Sequence, residues 1–307
     1  MKTKRIGSLD VTVVGLGTNN FGFGMEADAV GPVVDRTIEA GINFFDTADV
    51  YGASEVRLGE ALKGKRDQVL VATKFASPMG EGRSGGSAAY VRQAAERSLR
   101  KLGTDRIDLY QMHRPDPDTP IAETLGALGE LVAEGKVREI GCSNFTAAML
   151  REAEEAVADG GPRFVSVQNQ YNLLHRQDET EAIPEAEKLG ISYLPFFPLA
   201  SGLLSGKYAR GEAPPEGTRM QRWGDRAAGS LTDENFDAID SLSVWAKDHG
   251  HTVLELAIAW LAAKPYIGSV IAGATKPQQI SANAAAGVWE LSAGEVAEVD
   301  ALAAPKG

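Results

Sequence analysis

Residues 41–55 read GINFFDTADVYGASE. An apolar run, Ile42 to Phe45, stops abruptly at Asp46, and Tyr51 follows five residues later before a glycine and a serine. The run is short, β-branched and aromatic, as a strand buried on both faces should be. A carboxylate and a phenol just past its end stand where barrel enzymes keep their chemistry.

The same rhythm extends along the chain. Further strand-like runs lie at 11–16, 69–73, 107–112, 137–142, 164–168, 191–197 and 269–272. With 42–45, most begin about 30 residues apart, the length of one βα unit. The intervening stretches carry helix punctuation. Ser54 opens one that stops at Gly64, Ser87 one that runs to Leu102 before Gly103, and Thr119-Pro120 a third. Thr252 with Glu255 three residues on is a capping box. Eight strand-then-helix units predict a (β/α)8 barrel and a single domain over 1–307. A doubly wound sheet is the competing fold. It lacks support because Gly15-Leu16-Gly17 leads into Thr18-Asn19-Asn20 rather than a GxGxxG turn and helix. Residues 201–232, rich in Gly, Pro and charge, predict a mobile cover over the barrel mouth, followed by an extra helix near 235–248.

The net charge of −11 disfavours nucleic acid and anionic membrane as main partners, since both need basic surface. Cys142 is the one cysteine, so no intrachain disulfide forms. The first residues lack the apolar core of a signal peptide, and the most apolar helical stretch, 253–263, is too short to span a bilayer. These features predict a soluble, cytoplasmic protein. No heptad declares an oligomer.

Reading what ends each strand gives a polar set: Asp46 and Tyr51, then Lys74, His113, Ser143 with Asn144, and Gln168. Singly, each has a plainer reading as a turn residue, a cap, packing or a solvated strand end. Together they suggest proton transfer. A phenol is a weak acid. A nearby ammonium lowers its pKa, a carboxylate keeps that ammonium charged, and a histidine can orient a carbonyl. No side chain in the set is an evident nucleophile, so a hydride from a nicotinamide would supply the electrons. A lyase using Lys74 as a Schiff base is an alternative, but it leaves Ser143, Asn144 and Gln168 without work.

On these residues the chain resembles the aldo-keto reductase family over nearly its whole length. GINFFDTADVYG, VATKFA and DLYQMHRPD are similar to its catalytic segments. GCSNF, VQNQYNLL, PFFPLASGLLSGKY and VIAGATKPQQISAN are similar to its cofactor segments. The resemblance implies a (β/α)8 barrel that reduces carbonyls with NAD(P)H and without metal or flavin. Tyr51 would be the general acid, Lys74 and Asp46 its tuning pair, and His113 the residue that orients substrate. Ser143, Asn144 and Gln168 would hold the carboxamide, and Phe196 would stack on the nicotinamide. Leu199, Gly202, Leu203 and Lys207 would follow the pyrophosphate, and Pro198, presented after the seventh strand, would also bind the cofactor. Gly273, Thr275, Lys276, Gln279 and Asn283 would hold the adenosine end, while Gly17, Thr18 and Asn19 border the nicotinamide. The long loops resemble a branch containing bacterial sugar and aldehyde reductases and potassium-channel β-subunits. A regulatory subunit with little turnover is therefore the alternative function. Gln279 cannot balance a 2′-phosphate, which favours NADH. Lys276, with Arg219 or Arg222 on the loop, can, and on that ground NADPH is expected.

Overall fold

The computed structural model describes residues 1–80 and 82–303. Residue 81 and the end of the expected unit, 304–307, lie outside the described residues. Among the described residues, ten strands form two sheets: β1 Thr3–Ile6, β2 Leu9–Thr12, β3 Val14–Gly17, β4 Phe44–Asp46, β5 Leu70–Phe75, β6 Ile107–Met112, β7 Val137–Ser143, β8 Phe164–Gln170, β9 Ser192–Phe196 and β10 Val270–Gly273. Strands β3 to β10 pair in parallel, in chain order, with β10 returning to β3. Between β9 and β10 the seam is closed by the Tyr193 amide donating to the Tyr266 carbonyl and the Gly268 amide to the Tyr193 carbonyl. Helices surround the strands. The fold is the expected (β/α)8 barrel.

The run at 11–16 is not one strand. It breaks at Val13 into the end of β2 and the start of β3. Strands β1 and β2 form an antiparallel hairpin with Ile6 opposite Leu9 across Gly7-Ser8, where Gly7 supplies a positive φ. The hairpin carries Ile6, Leu9 and Val11 against the inward-facing Phe44, Ala72, Leu109, Leu194 and Ile271. It thus plugs one end of the barrel with apolar side chains and leaves the other end for polar ones.

Helix boundaries depart from expectation in instructive places. Ser54 is the first residue of the helix Ser54–Ala61 and caps nothing with its side chain. Its buried hydroxyl donates to the Thr18 carbonyl at 2.8 Å and meets the hydroxyls of Thr18 and Thr47. Thr119 donates to Asp116 instead of capping, and the helix begins after Pro120, at Ile121. Thr252 and Glu255 do form the capping box of Val253–Ala263. No helix among the described residues is long and apolar enough to cross a membrane.

Residues 201–232 are not structureless. They contain most of a 3-10 segment, Ala200–Ser205, a short helix, Arg219–Trp223, and a second 3-10 turn, Gly224–Ala227. Leu203, Leu204, Tyr208 and Met220 are buried and anchor the segment by burying apolar surface. The extra helix beyond it is Asp233–Asp248.

Candidate active site

The polar end of the barrel opens into a cleft of about 720 Å³. Strand ends supply its floor. Lys74 stands within β5 rather than after it, and its side chain is fully buried. Its ammonium donates to Asp46 Oδ2 at 2.5 Å and to the Thr47 carbonyl at 2.9 Å. Asp46 Oδ1 accepts from Gln111 Nε2 at 3.1 Å and from Gln168 Nε2 at 3.0 Å. Both carboxylate oxygens are therefore engaged, and a buried ion pair has the extra hydrogen bonds it needs. An ionised carboxylate only accepts, so it turns the amide nitrogen of Gln168 inward and leaves that side chain's carbonyl oxygen as its remaining acceptor.

Tyr51 stands over this pair, half-buried, with the Lys74 ammonium 5.2 Å from its ring centre. His113 meets the phenol ring edge to face at 5.7 Å. Close backbone approach fixes the tyrosine: Gly22 lies so near that a Cβ there would run into the Tyr51 carbonyl. Burial raises the phenol above its ordinary value, and although Lys74 draws it down, the net direction is upward. The expected downward pull of Lys74 on the phenol is present, and desolvation of the ring outweighs it. Lys74 itself keeps its proton. Burial opposes its charge, but Asp46 and Tyr51 together raise its pKa. Burial, reinforced by the charges of Lys74 and Arg114, pushes His113 down to about 3, so its imidazole is neutral. A neutral ring presents one donor and one acceptor.

The expected cofactor residues divide. Gly17, Thr18, Asn19, Asp46, Ser143, Asn144, Gln168, Phe196, Pro198, Leu199, Gly202, Lys207, Gly273, Thr275, Lys276, Gln279 and Asn283 all line the cleft. Leu203 does not; it is buried in the core below. The Thr18 hydroxyl is spent on the Asp46 carbonyl at 3.0 Å. Gln279 turns its carbonyl oxygen back onto the amides of Thr275 and Lys276, at 2.7 and 3.2 Å. Asn144, at φ 60°, ties its side-chain amide to the His113 carbonyl at 2.8 Å. Gln111 went unremarked in the sequence. Alternation along β6, which points it the same way as Leu109 and toward the barrel axis, was the available signal.

Five cations line the cleft: Arg114, Lys207, Arg219, Arg222 and Lys276. None has a carboxylate partner among the described residues. Arg219 lies 5.2 Å over the Phe197 ring and only 3.5 Å from the side-chain oxygens of Asn19 and Asn20. Of the two acidic groups on the cleft wall, Glu216 and Asp46, the latter is neutralised by Lys74. A protein of net charge −11 thus gathers free positive charge along one groove that ends at Tyr51.

The profile of the Aldo/keto reductase family matches residues 13–304. The chain belongs to this family. The L-glyceraldehyde 3-phosphate reductase of Escherichia coli (strain K12) is 30% identical, with 92% of this chain aligned to 86% of that protein. A probable voltage-gated potassium channel subunit beta from Oryza sativa subsp. japonica is 34% identical over 86% of this chain and 83% of its own. Among solved structures, the glycerol dehydrogenase of Gluconobacter oxydans superimposes with a TM-score of 0.84 at 30% identity, over 98% of this chain and 94% of that one.

Aldo/keto reductases are oxidoreductases that use nicotinamide cofactors, and the cleft fits one. It combines cations that lack a carboxylate partner among the described residues, the partly exposed ring of Phe196, and amides at Asn144 and Gln168.

The buried pair makes a stability prediction. Asp46→Leu should cost about 3–5 kcal/mol in urea unfolding, because Lys74 is left charged and unpaired. Adding Lys74→Met should recover part of that loss. Additive losses in the double variant would show that the two side chains do not depend on each other.

Proposed function

We propose that the protein reduces an aldehyde or ketone to an alcohol with NADPH, and that Tyr51 is the general acid. The observation that carries this reading is the convergence of Tyr51, Lys74, Asp46 and neutral His113 at the end of a cation-lined groove. NADPH, when bound, supplies the hydride that reaches the carbonyl carbon. Tyr51 gives its phenolic proton to the carbonyl oxygen, and the open cleft returns a proton from solvent. A phenol whose pKa stands above 10 is fully protonated at neutral pH and is ready to donate. The Lys74 ammonium stabilises the phenolate as it forms, and Asp46 holds the ammonium in place. His113 directs the carbonyl oxygen toward the phenol by a hydrogen bond from its neutral ring.

The buried ion pair weighs against Lys74 as a Schiff-base nucleophile, which needs a free amine. Ser143, Asn144, Gln168 and Phe196 are read as the nicotinamide's contacts. Lys207 and Arg219 are read as partners of the pyrophosphate, and Lys276 as the partner of the 2′-phosphate. Gln279 supports Lys276 by capping its turn. The alternative, a cofactor-binding regulatory subunit with little turnover, draws on the rice relative's name. Turnover separates the two readings.

On a panel of aldehydes and ketones, the wild type should oxidise NADPH faster than NADH. Tyr51→Phe should lower turnover by about 10²-fold or more while leaving NADPH binding nearly intact. Absence of turnover on every carbonyl would support the regulatory reading, and near-normal turnover in the variant would remove Tyr51 from the mechanism. Lys276→Ala should weaken NADPH by about 1 kcal/mol or more and hardly change NADH. Equal weakening of both cofactors would take Lys276 off the 2′-phosphate.

A further inference from the structure

Beneath the cleft floor a second amide reaches the buried pair. Gln111 is fully buried and is not among the residues that line the cleft. It lies on β6, in register with Lys74 on β5 and with Gly141 on β7. Its Nε2 donates to Asp46 Oδ1 at 3.1 Å, the same oxygen that accepts from Gln168 Nε2 at 3.0 Å. Its other end is left over. Gln111 Oε1 is buried without a hydrogen-bond partner among the described residues, as is the hydroxyl of Ser166. Glycine in the neighbouring strand leaves room beside it: a Cβ at Gly141 would come within 2.3 Å of the Ser166 hydroxyl and 3.3 Å of Gln111 Cγ.

Packing alone does not account for an amide at this place. A buried carbonyl oxygen without a donor costs stability, and an apolar side chain of the same shape would remove that cost. The orientation is also fixed, since an ionised carboxylate only accepts and so takes the nitrogen end of the amide. What the amide provides is a charge-assisted donor to Asp46. Gln168 provides one too, but it lines the cleft, where it can meet a bound ligand. Gln111, with no exposed surface, is the donor that a ligand does not reach.

We propose that Gln111 is a positioning residue for the proton donor: by holding Asp46 Oδ1 it keeps Oδ2 on the Lys74 ammonium, and through that ammonium it favours the phenolate of Tyr51. Two effects of removing Gln111 have the same sign. The carboxylate loses a donor that offsets part of its charge, and the charge of Asp46 raises the Tyr51 phenol. Its second oxygen also loses the restraint that keeps the ammonium in place, and Lys74 lowers the phenol, as Arg219 does from the cleft wall. Both changes disfavour the phenolate. Neutral His113 adds no charge to offset them.

The proposal rests on Tyr51 being the general acid, but its test need not. Full-length protein carrying 3-fluorotyrosine, with the Tyr51 ¹⁹F signal assigned by its loss in Tyr51→Phe, follows ionisation of this one ring without turnover. The fluorine makes the phenol more acidic and so brings its titration down from strongly alkaline pH. In Gln111→Met, which keeps the volume and removes the donor, the ionisation constant of Tyr51 should fall about threefold or more. In an Asp46→Asn background the same substitution should leave that constant unchanged, because no carboxylate charge remains for Gln111 to hold. Where a carbonyl substrate is turned over, kcat should fall severalfold in Gln111→Met, with KM and NADPH binding little changed. Should Gln111→Met not fold, Gln111→Asn, which keeps the amide and draws it back by a methylene, must show the same fall in the ionisation constant. An unmoved Tyr51 titration in a folded variant overturns the proposal and leaves Gln111 a packing residue. A shift of equal size with and without the Asp46 charge overturns it too, since Gln111 would then act on the phenol by another route. Failure of every carbonyl substrate would count against the reductase reading alone, since the resonance would still decide the role of Gln111.

Discussion

The site depends on one buried charge pair. Lys74 has no exposed surface, and its ammonium is tolerable there only because Asp46 lies 2.5 Å away and the Thr47 carbonyl 2.9 Å away. Asp46 in turn needs Gln111 and Gln168 to occupy its second oxygen. Three consecutive barrel strands, β4 to β6, and β8 thus contribute to a single electrostatic unit. Tyr51 is the group outside the pair that feels it most directly. Burial and the pair act on the phenol in opposite directions, and the balance leaves a protonated acid beside a permanent cation. Such an arrangement holds the proton in the ground state and stabilises the anion that its transfer would create.

Around this unit the backbone is held in uncommon conformations. Ala76, Asn144 and Phe197 have positive φ, and each follows the last residue of a barrel strand; Ala200 and Ser201 continue the series beside the cleft. Non-glycine residues adopt this region at a cost that the surrounding structure must outweigh. The cost falls at the polar mouth, while the opposite end is sealed by the apolar hairpin of Ile6, Leu9 and Val11. The molecule is therefore built with a packed, unreactive end and a strained end where side chains of several strands converge.

Much of this was legible in the chain. Apolar runs at regular spacing announced the barrel, since strands covered on both faces need continuous hydrophobic character. The polar residue that terminates each run named most of the floor of the cleft. Other features depend on contacts far apart in sequence. The run at 11–16 looks continuous, and only the plug formed by Ile6, Leu9 and Val11 explains its break; the Gly7-Ser8 turn was the local clue. Ser54 has the residue type of a cap, but burial turns it toward Thr18 and Thr47. Leu203 shares a segment with cleft residues and faces the core. Residue types reveal the ammonium that draws the Tyr51 phenol down and conceal the burial that opposes it.

Protonation of Tyr51 can be followed without substrate. The difference in tyrosinate absorbance between wild type and Tyr51→Phe, taken across an alkaline titration, isolates this one phenol. The account predicts that Tyr51 ionises above pH 10 in the free protein, and at still higher pH in Lys74→Met, where the cation that draws it down is gone. A Tyr51 phenol already ionised near neutral pH, or one whose titration is unmoved by Lys74→Met, would contradict it.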